Sequence, residues 1–301
     1  MTNGSDKLAN IETVVDEKVI DGKSIARQIR KSVKEEIAVF KNEHGFVPGL
    51  AVVIVGEDAA SQKYVKSKKR ACKRLGIYSE EYALDENISQ RELLELINKI
   101  NSDPKIHGLL VQRPLPSSID TELVTEAILP SKDVDCFHSS NLGHLLIGDG
   151  KVFSCTPLGI IRLLENIDYK FSGKKAVVVG RSNIVGKPIA LMLLQKNCTV
   201  TVCHSRTADL ENEVKQADLV IAAVGRPQMI KGSWLKPGCC VIDVGINATD
   251  TGLVGDVDYE SAKTVAARIT PVPGGVGPMT IAMLMENTLA LAKEFAKRKE
   301  M

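Results

Sequence analysis

Aromatic residues are scarce in this 301-residue chain, which contains six Phe, five Tyr and one Trp. Proteins that bind single-stranded nucleic acid need exposed rings on which the bases stack. The formal net charge is also small, +2 at pH 7 from 39 Lys plus Arg and 37 Asp plus Glu. Because nonspecific binding to nucleic acid depends on many cations, the composition predicts no nucleic-acid partner.

Long apolar runs are lacking as well, since the best two, residues 50–55 and 219–224, have only the length of a buried strand. A membrane helix needs about 20 apolar residues, so we expect no membrane-spanning segment. Residues 1–18 are polar and acidic, without the basic start and apolar middle of a signal peptide. We expect these residues to form a flexible tail and the protein to be cytoplasmic.

No two of the seven cysteines have C-x-x-C spacing, and Cys239 and Cys240 are adjacent. This pattern is not that of a disulfide framework or a zinc ribbon, and it fits a reducing compartment. The five histidines show no H-x-x-x-H or similar ligand spacing. We therefore expect no metal site.

The apolar segments predict two α/β domains, the number that the chain length suggests at about 150 residues per domain. In the first half, helical periodicity over residues 19–41 and 59–75 alternates with strand-like runs at 50–55 and 108–111. Strands that alternate with helices form parallel sheets. A polar, turn-rich stretch, residues 139–154, separates this half from the second.

The second half repeats the α/β alternation. Strand-like runs at residues 176–179, 200–203, 219–223 and 240–243 are separated by helical segments. One long amphipathic helix follows Pro278 and could pack on either domain. We expect a cleft between the domains, where small-molecule sites usually lie.

The segment after residues 176–179 has the order of strand, glycine turn and helix that is typical of a dinucleotide site. Its sequence is Gly180-Arg-Ser-Asn-Ile-Val-Gly186-Lys-Pro188. Ser182 stands at the second glycine of G-x-G-x-x-G, and Gly186 comes one residue late. A tight turn that binds no ligand is therefore the alternative.

The residues after the next strand favour NADP over NAD. An NAD site carries Asp or Glu about 20 residues beyond the glycine turn, where it binds the ribose 2′-hydroxyl. Here the strand ends in Cys203-His-Ser-Arg-Thr207, without an acid. Arg181, Ser205 and Arg206 offer charge-assisted hydrogen bonds to a 2′-phosphate. The alternative for Arg206 is a solvated surface arginine.

Four side chains of the first half could share a chemical site. Tyr64 and Lys68 lie four residues apart on one face of a predicted helix. Gln112 follows a strand, at the sheet edge where ligands of parallel sheets bind, and Asp135 could accept N–H donors from a heterocycle. The alternatives are a surface lysine, a solvent-facing glutamine and a helix-capping aspartate.

A loop rich in proline and glycine precedes the last helix. Its sequence, Thr270-Pro-Val-Pro-Gly-Gly-Val-Gly-Pro-Met-Thr280, holds three prolines and three glycines in eleven residues. Glycine allows a ligand to approach the backbone closely, whereas proline stiffens the chain. We expect this loop to line a binding site.

Taken in chain order, these motifs resemble the bifunctional methylenetetrahydrofolate dehydrogenase/methenyltetrahydrofolate cyclohydrolase family. The motifs are Ser61/Tyr64/Lys68, Val111-Gln112, Asp133-Val-Asp135, Cys155-Thr-Pro-Leu-Gly159, Gly180-Arg-Ser182 and the loop from Pro273 to Thr280. The resemblance covers the chain from about residue 19 to the C-terminal helix. It implies that NADP oxidises 5,10-methylenetetrahydrofolate and that the methenyl product is hydrolysed to 10-formyltetrahydrofolate in the same site.

Two other functions use some of the same residues. A shikimate-type NADP dehydrogenase also pairs a lysine with an aspartate across two α/β domains, but it needs neither the Pro273 to Thr280 loop nor the Tyr64/Lys68 pair. A non-catalytic folate or NADP binding module is the second alternative. The presence of Lys68 and Gln112 argues against it.

The resemblance further implies a domain division and residue roles. Residues 19–156 with 280–301 would form the catalytic, folate-binding domain, and residues 157–279 a Rossmann NADP-binding domain through which homodimers form. In the catalytic set of Lys68, Tyr64, Gln112 and Asp135, the lysine would be tuned by the glutamine, the tyrosine would stack on the pterin, and the aspartate would hold its N–H groups.

The residues implied to contact the two ligands come from both halves of the chain. Those for folate are Ser61, Tyr64, Lys68, Val111, Gln112, Arg113, Asp135, Pro273, Gly274, Gly275, Val276 and Gly277. Those for NADP are Gly180, Arg181, Ser182, Ile184, Val185, Gly186, Ser205, Arg206, Gly225 and Ile246.

Three positions depart from the family pattern. Arg113 stands where leucine is usual, Cys136 where glycine is usual, and Ser154 where proline is usual. A cation at Arg113 could contact the acidic folate tail or point to solvent, and Cys136 could alter the turn that aims Asp135. We expect these departures to affect substrate affinity more than reaction type.

Overall fold

The computed structural model describes residues 16–250 and 252–300, and the first of its two main sheets lies in the N-terminal half. This sheet is parallel, with strand order β2-β1-β3. Its strands are β1 (Gly49–Val55), β2 (Tyr78–Leu84) and β3 (Gly108–Val111). The helices of this half are α1 (Gly22–His44), α2 (Ala59–Leu75), α3 (Gln90–Ser102), α4 (Thr121–Ala127) and α5 (Ser139–Ile147).

The second sheet has five parallel strands in the order β10-β7-β6-β4-β5. Its strands are β4 (Lys175–Val179), β5 (Thr199–Cys203), β6 (Leu219–Ala222), β7 (Cys240–Asp243) and β10 (Arg268–Ile269), and β8 (Asn247–Thr249) and β9 (Gly252–Val254) form a separate hairpin. The helices are α6 (Cys155–Asn166), α7 (Gly186–Gln195), α8 (Leu210–Lys215), α9 (Tyr259–Val265) and α10 (Val276–Glu300). The predicted fold of two α/β units with parallel sheets is confirmed.

The stretch predicted to be turn-rich, residues 139–154, contains a helix instead, because α5 occupies its first nine residues. His138 precedes the helix, and its Nδ1 accepts a hydrogen bond from the Ser140 N–H at 3.0 Å. The Ser, Asn and Gly residues of this stretch are typical of turns. The buried Leu145 shows that tertiary packing decided the structure here.

Helix α10 packs against the N-terminal half, as predicted. It packs against α1, α2 and α6 and reaches β1 and β3. Met279, Met283 and Leu284 of this helix are buried in the same apolar cluster as the buried residues of α1. The last helix of the chain therefore completes the core of the first half.

A short segment before α1 covers the outer edge of the second sheet. Val19 pairs in parallel with Ile269 of β10, and the Ile269 N–H donates to the Lys18 carbonyl at 2.8 Å. Of the predicted tail, residues 1–15 lie outside the described residues, whereas residues 16–18 are held at this edge. The predicted division into domains stays a proposal.

Three features concern the described residues as a whole. None of their helices is long and apolar enough to cross a membrane. All seven cysteines are free and buried. Within residues 16–250 and 252–300, no three His, Cys, Asp or Glu side chains group so that they could hold a metal ion, and the expected absence of a metal stays a prediction.

One buried histidine contributes to the core beside β1. His107 is 2% exposed, and its Nδ1 accepts the Gly49 N–H at 2.9 Å, whereas its Nε2 has no hydrogen-bond partner among the described residues. The ring stacks on Phe46 and meets Phe295 edge to face. Burial, and next the nearby charge of Lys132, lowers the pKa of His107 to about 4.

We predict that this histidine makes folding stability depend on pH in mild acid. An unfolded histidine has a pKa of about 6.5, so the unfolded state takes up a proton first as the pH falls. Stability present above pH 6.5 is therefore lost as the pH falls towards 4, by about 2 kcal/mol between pH 7.5 and 5. Urea unfolding at both pH values measures this loss.

The control is His107→Asn, whose side-chain oxygen replaces the Nδ1 acceptor but does not titrate. We expect the stability of this variant to fall by about 2 kcal/mol less than that of the wild type over the same pH interval. Equal losses in the two proteins would contradict the role given to His107.

Candidate active site

Lys68 and Gln112 form a hydrogen-bonded pair between α2 and the end of β3. Lys68 is 8% exposed, and its Nζ donates a hydrogen bond to Gln112 Oε1 at 2.9 Å. The Gln112 Nε2 donates to the Arg113 carbonyl at 2.8 Å, which fixes the amide with its oxygen towards the lysine. The alternatives of a surface lysine and a solvent-facing glutamine are therefore wrong.

The start of α2 sets the direction in which its side chains point. Gly56 has φ 78°, a left-handed conformation that suits glycine, and so turns the chain from β1 towards α2. Asp58 caps the helix by accepting the Ser61 N–H at 2.8 Å, and the Ser61 hydroxyl donates to the Arg113 carbonyl at 3.4 Å. Tyr64, one turn before Lys68, is half-buried, and this burial raises the pKa of its phenol.

Asp133 and Asp135 lie in one segment but have different environments. Asp133 is buried, and its carboxylate accepts hydrogen bonds from the His138 N–H at 2.8 Å and from Asn141 Nδ2 at 2.9 Å. Asp135 is partly exposed, and its Oδ1 lies 3.5 Å from Cys155 Sγ. The carboxylate of Asp133 is thus held by hydrogen bonds within the protein, whereas Asp135 keeps carboxylate surface for a ligand.

Asn287 of α10 holds this segment in place, and the sequence analysis missed it. Its Nδ2 donates to the carbonyls of Val134 at 2.9 Å and Phe153 at 2.8 Å. Asn287 is 3% exposed. A buried amide on an otherwise apolar helix face is the signal that could have identified it, because buried polar groups need partners.

The three departures from the family pattern lie around Asp135. Cys136 adopts the left-handed conformation, with φ 58°, and the Ser154 hydroxyl donates to its carbonyl at 3.2 Å. The Arg113 guanidinium lies 5.0 Å from the centre of the Phe137 ring and donates to Thr125 Oγ1 at 2.7 Å. Burial lowers the pKa of Arg113, and the charge of Asp135 partly opposes this. Arg113 thus packs within its own half instead of extending into solvent.

The glycine turn after β4 is closely packed. A Cβ at Gly180, which has φ 130°, would lie 2.1 Å from the Ala223 carbonyl oxygen, and a Cβ at Gly186 would lie 2.3 Å from the Gly180 oxygen. The Ser182 hydroxyl accepts the N–H groups of Val185 at 3.2 Å and Gly186 at 3.3 Å. Ser182 therefore caps the start of α7, which explains a serine at the position of the second glycine.

Three donors for a phosphate meet at one edge of the second sheet. Arg181 follows β4, and Ser205 and Arg206 follow the neighbouring strand β5. All three side chains are exposed, and neither arginine forms an ion pair within the described part of the chain. This donor set fits the 2′-phosphate of NADP.

Two buried carboxylates organise the loops beside the glycine turn, and the sequence analysis missed both. Asp256 accepts the N–H groups of Val224 at 2.7 Å, Gly225 at 2.9 Å and Arg226 at 3.0 Å. Asp243 accepts those of Gly245, Asp256 and Val257 at 2.9–3.0 Å. Burial raises the pKa of Asp243 to about 6. Gly225, a predicted NADP residue, is positioned by Asp256.

Eleven of the twelve predicted folate residues fall into three groups. Tyr64 and the loop from Pro273 to Gly277 line a cleft of about 1070 Å³, together with the predicted NADP residue Ile246. The pair of Lys68 and Gln112 does not line this cleft. Val111, Arg113 and Asp135 line a separate small pocket.

The chain is similar to known proteins along most of its length. Two family models match, the catalytic domain of tetrahydrofolate dehydrogenase/cyclohydrolase at residues 20–135 and the NAD(P)-binding domain of the same family at residues 154–296. A curated relative, the bifunctional protein FolD of Geotalea uraniireducens, is 57% identical over 277 residues, which cover 92% of this chain and 99% of that protein.

Two solved structures share both the sequence pattern and the fold. The bifunctional FolD methylenetetrahydrofolate dehydrogenase/cyclohydrolase of Campylobacter jejuni is 49% identical with a TM-score of 0.90, and the match covers 92% of this chain and 98% of that chain. The corresponding Trypanosoma brucei enzyme, complexed with NADP and an inhibitor, is 38% identical with a TM-score of 0.88 and coverage of 92% and 97%. The chain therefore belongs to the tetrahydrofolate dehydrogenase/cyclohydrolase family.

Proposed function

We propose that a single site built around Lys68 carries out both activities of this enzyme. The first oxidises 5,10-methylenetetrahydrofolate to the 5,10-methenyl cation with NADP, and the second hydrolyses that cation to 10-formyltetrahydrofolate. The observation that supports this proposal best is the 2.9 Å hydrogen bond between Lys68 Nζ and Gln112 Oε1. It aims a mostly buried amine from α2 at the sheet edge where ligands bind.

Residues of the first half orient the folate in the oxidation step. Tyr64 supplies an aromatic face for the ring system, and Asp135 accepts hydrogen bonds from the N–H groups of the pterin. NADP, when bound, accepts the hydride of the one-carbon bridge. The glycine turn from Gly180 to Gly186 and the phosphate donors Arg181, Ser205 and Arg206 hold it at the carboxyl edge of the second sheet.

Lys68 moves protons in the hydrolysis step. Water adds to the methenyl carbon, and the oxygen must lose its protons while the C–N5 bond breaks and N5 gains one. A side-chain amine that remains beside this carbon can take a proton from the oxygen and return it to nitrogen. Gln112 presents a neutral oxygen to Lys68, which orients the amine without forming an ion pair.

The alternatives from the sequence are less well supported. Membership of the family decides against a shikimate-type dehydrogenase. A non-catalytic binding module would not need a buried lysine whose amine is oriented by a fixed amide, since leaving water costs a charged group free energy.

We predict that Lys68→Met abolishes cyclohydrolase activity and lowers dehydrogenase activity at least a hundredfold, because proton transfer contributes about 10²–10⁴ to such rates. The absorbance of the methenyl product and its decay report the two steps. Lys73→Met, on the exposed side of the same helix, is the matched control and should resemble the wild type. Normal turnover by Lys68→Met in both assays would refute the assigned role.

We predict that Arg206→Gln weakens NADP binding about tenfold or more and leaves NAD binding nearly unchanged. A hydrogen bond between charged groups contributes about 1.5–3 kcal/mol. NAD has no 2′-phosphate with which Arg206 could form such a bond. Titrations with both cofactors measure this difference, so NAD serves as the internal control. An equal loss for both would mean that Arg206 does not contact the phosphate.

We also propose a cytoplasmic homodimer, formed through the second half of the chain. β5 is the edge strand of its sheet and leaves Val202 exposed. Leu194 of α7 and Leu146 and Ile147 of α5 are exposed as well, and α5 packs on α7. Exposed apolar side chains beside an open strand edge favour association with another chain. The seven free, buried cysteines suit a reducing compartment.

Light scattering at micromolar concentration should give twice the 32.6 kDa mass of one chain. We predict that Val202→Lys shifts the protein towards the monomer, because a charge on the strand edge opposes pairing. Val39→Lys changes an exposed valine of α1 in the same way and should leave the mass unchanged. A wild-type mass near 32.6 kDa would refute the dimer.

A further inference from the structure

Asp256 is a buried carboxylate whose oxygens are both occupied by hydrogen bonds. The residue is 0% exposed. Its Oδ2 accepts the N–H groups of Val224 at 2.7 Å and Gly225 at 2.9 Å. Its Oδ1 accepts the Arg226 N–H at 3.0 Å and Asn247 Nδ2 at 3.0 Å. Four donors match the about four acceptor positions of a carboxylate, so this buried charge is fully paired.

The three consecutive N–H groups of residues 224–226 point towards one anion. Gly225 has φ 65°, a left-handed conformation, and turns of this kind form concave sites that bind phosphates in many proteins. Here the carboxylate of Asp256 fills the site, so a phosphate of a cofactor cannot bind to these N–H groups. Asp256 can therefore act on a cofactor only through the shape of the loop that it holds.

The loop of residues 224–226 follows β6 and lies against the glycine turn after β4. The Ala223 N–H donates to the Val179 carbonyl at 2.8 Å, and a Cβ at Gly180 would collide with the Ala223 carbonyl oxygen. Ligands of open parallel sheets bind at the carboxyl ends of the strands. We therefore expect the shape of this loop to determine one wall of the cofactor site.

A second buried carboxylate fixes the backbone of Asp256. Oδ1 of Asp243 accepts the Asp256 N–H at 2.9 Å, and its Oδ2 accepts the Val257 N–H at 2.9 Å. Both carboxylates lie directly against glycines, since a Cβ at Gly245 would collide with Asp256 Oδ1 and a Cβ at Gly255 with Asp243 Oδ2. Asp256 thus projects from a tightly packed segment, and such support is what holds a functional side chain in one position.

The folate loop is held by contacts that do not use the Asp256 side chain. The buried Thr270, which begins this loop, accepts the Asp243 N–H at its Oγ1 at 2.8 Å. Within the loop, the Gly275 N–H donates to the Pro271 carbonyl at 2.8 Å. A change confined to the Asp256 carboxylate should therefore alter the loop after β6 and leave the folate loop in place.

We propose that Asp256 is a positioning residue for NADP and that its carboxylate is required for one activity of the enzyme and not for the other. This inference rests on the proposed function, in which both activities share one folate site. Only the oxidation step needs NADP, because hydrolysis of the methenyl cation transfers no hydride. Asp256 keeps the loop after β6 in the form that binds the cofactor, whereas the hydrolysis step does not depend on this loop.

The first measurement is the affinity for cofactor of Asp256→Asn, determined by calorimetric titration. The new amide has only one accepting atom, so two of the four donors lose their acceptor and the loop relaxes. Affinity falls in proportion to the fraction of protein that stays competent to bind. We expect NADP to bind about tenfold or more weakly. NAD should weaken by the same factor, because Asp256 does not act through the 2′-phosphate.

The second measurement compares the two activities of Asp256→Asn. The dehydrogenase should show a raised KM for NADP with kcat close to that of the wild type. The cyclohydrolase, assayed with methenyltetrahydrofolate and without NADP, should be unchanged, whereas general damage to the fold would lower both activities together. Asp258→Asn is the matched control two residues later. Its carboxylate pairs with Lys231 at 3.6 Å, and we expect wild-type behaviour in both assays.

Amide hydrogen exchange observes the loop without cofactor or substrate. The N–H groups of residues 224–226 should exchange faster in Asp256→Asn than in the wild type, whereas those of α10 should keep their protection. If Asp256→Asn does not fold, Asn247→Ala replaces it in the same assays. This variant removes one of the four donors and frees the turn that carries Ile246, so NADP binding should weaken by a smaller factor.

Failure of the inference differs from failure of the proposed function. A wild type that neither binds NADP nor converts the folate substrates would contradict the proposed function. Unchanged NADP affinity in folded Asp256→Asn, or in Asn247→Ala where that variant is used, would overturn the inference. Equal loss of both activities at an unchanged KM for NADP would overturn it as well, because Asp256 would then only stabilise the fold.

Discussion

The packing of α10 against the first half is the constraint on which the active site depends. Its Asn287 donates to the carbonyls of Val134 and Phe153 and so joins two segments that are far apart in the sequence. The first of these segments leads directly into Asp135. Since α10 is the last helix of the chain, the catalytic half is complete only after the second half has been added.

The cofactor side of the molecule is organised by buried charge instead of by a helix. Asp256 gathers three consecutive N–H groups, and Asp243 fixes the neighbouring turn. The pKa of Asp243 is raised to about 6, so this carboxyl favours the folded state in acid, and that contribution is lost as the pH rises through about 6. The pKa shift of His107 has the opposite sign. For this reason its effect on stability is measured as the difference between the wild type and His107→Asn, which both contain Asp243.

Much of the fold could be predicted, because the pattern of apolar residues within a short segment indicates which of its side chains are buried. Helix α2, with its glycine C-cap Gly76, and strand β3 have the predicted bounds, and the i, i+4 spacing placed Tyr64 and Lys68 on neighbouring turns. The contacts of Asn287 could not be predicted, because Asn287 lies 153 positions from Val134 and 134 positions from Phe153 in the sequence. The roles of Asp133 and Asp135 could not be separated either, because their neighbours became known only with the tertiary structure.

The eight Lys and Arg side chains of α1 and α2 that line the cleft beside Tyr64 show the same limit for charge. A net charge of +2 describes the chain as a whole and carries no information about how the cations are distributed. The α1 and α2 cations form one surface only because the two helices pack side by side. Sequence spacing shows which side chains share a helix face, but not which two faces meet.

The segment around Val19 gives the second sheet two unlike edges. Because this segment occupies the outer side of β10, strand addition there is blocked, whereas β5 remains open. Two copies that joined through β5 would use the same surface and would be related by a twofold axis. Among the described residues, the second sheet would then offer no further open edge to a third copy, so pairing through this sheet would stop at two chains.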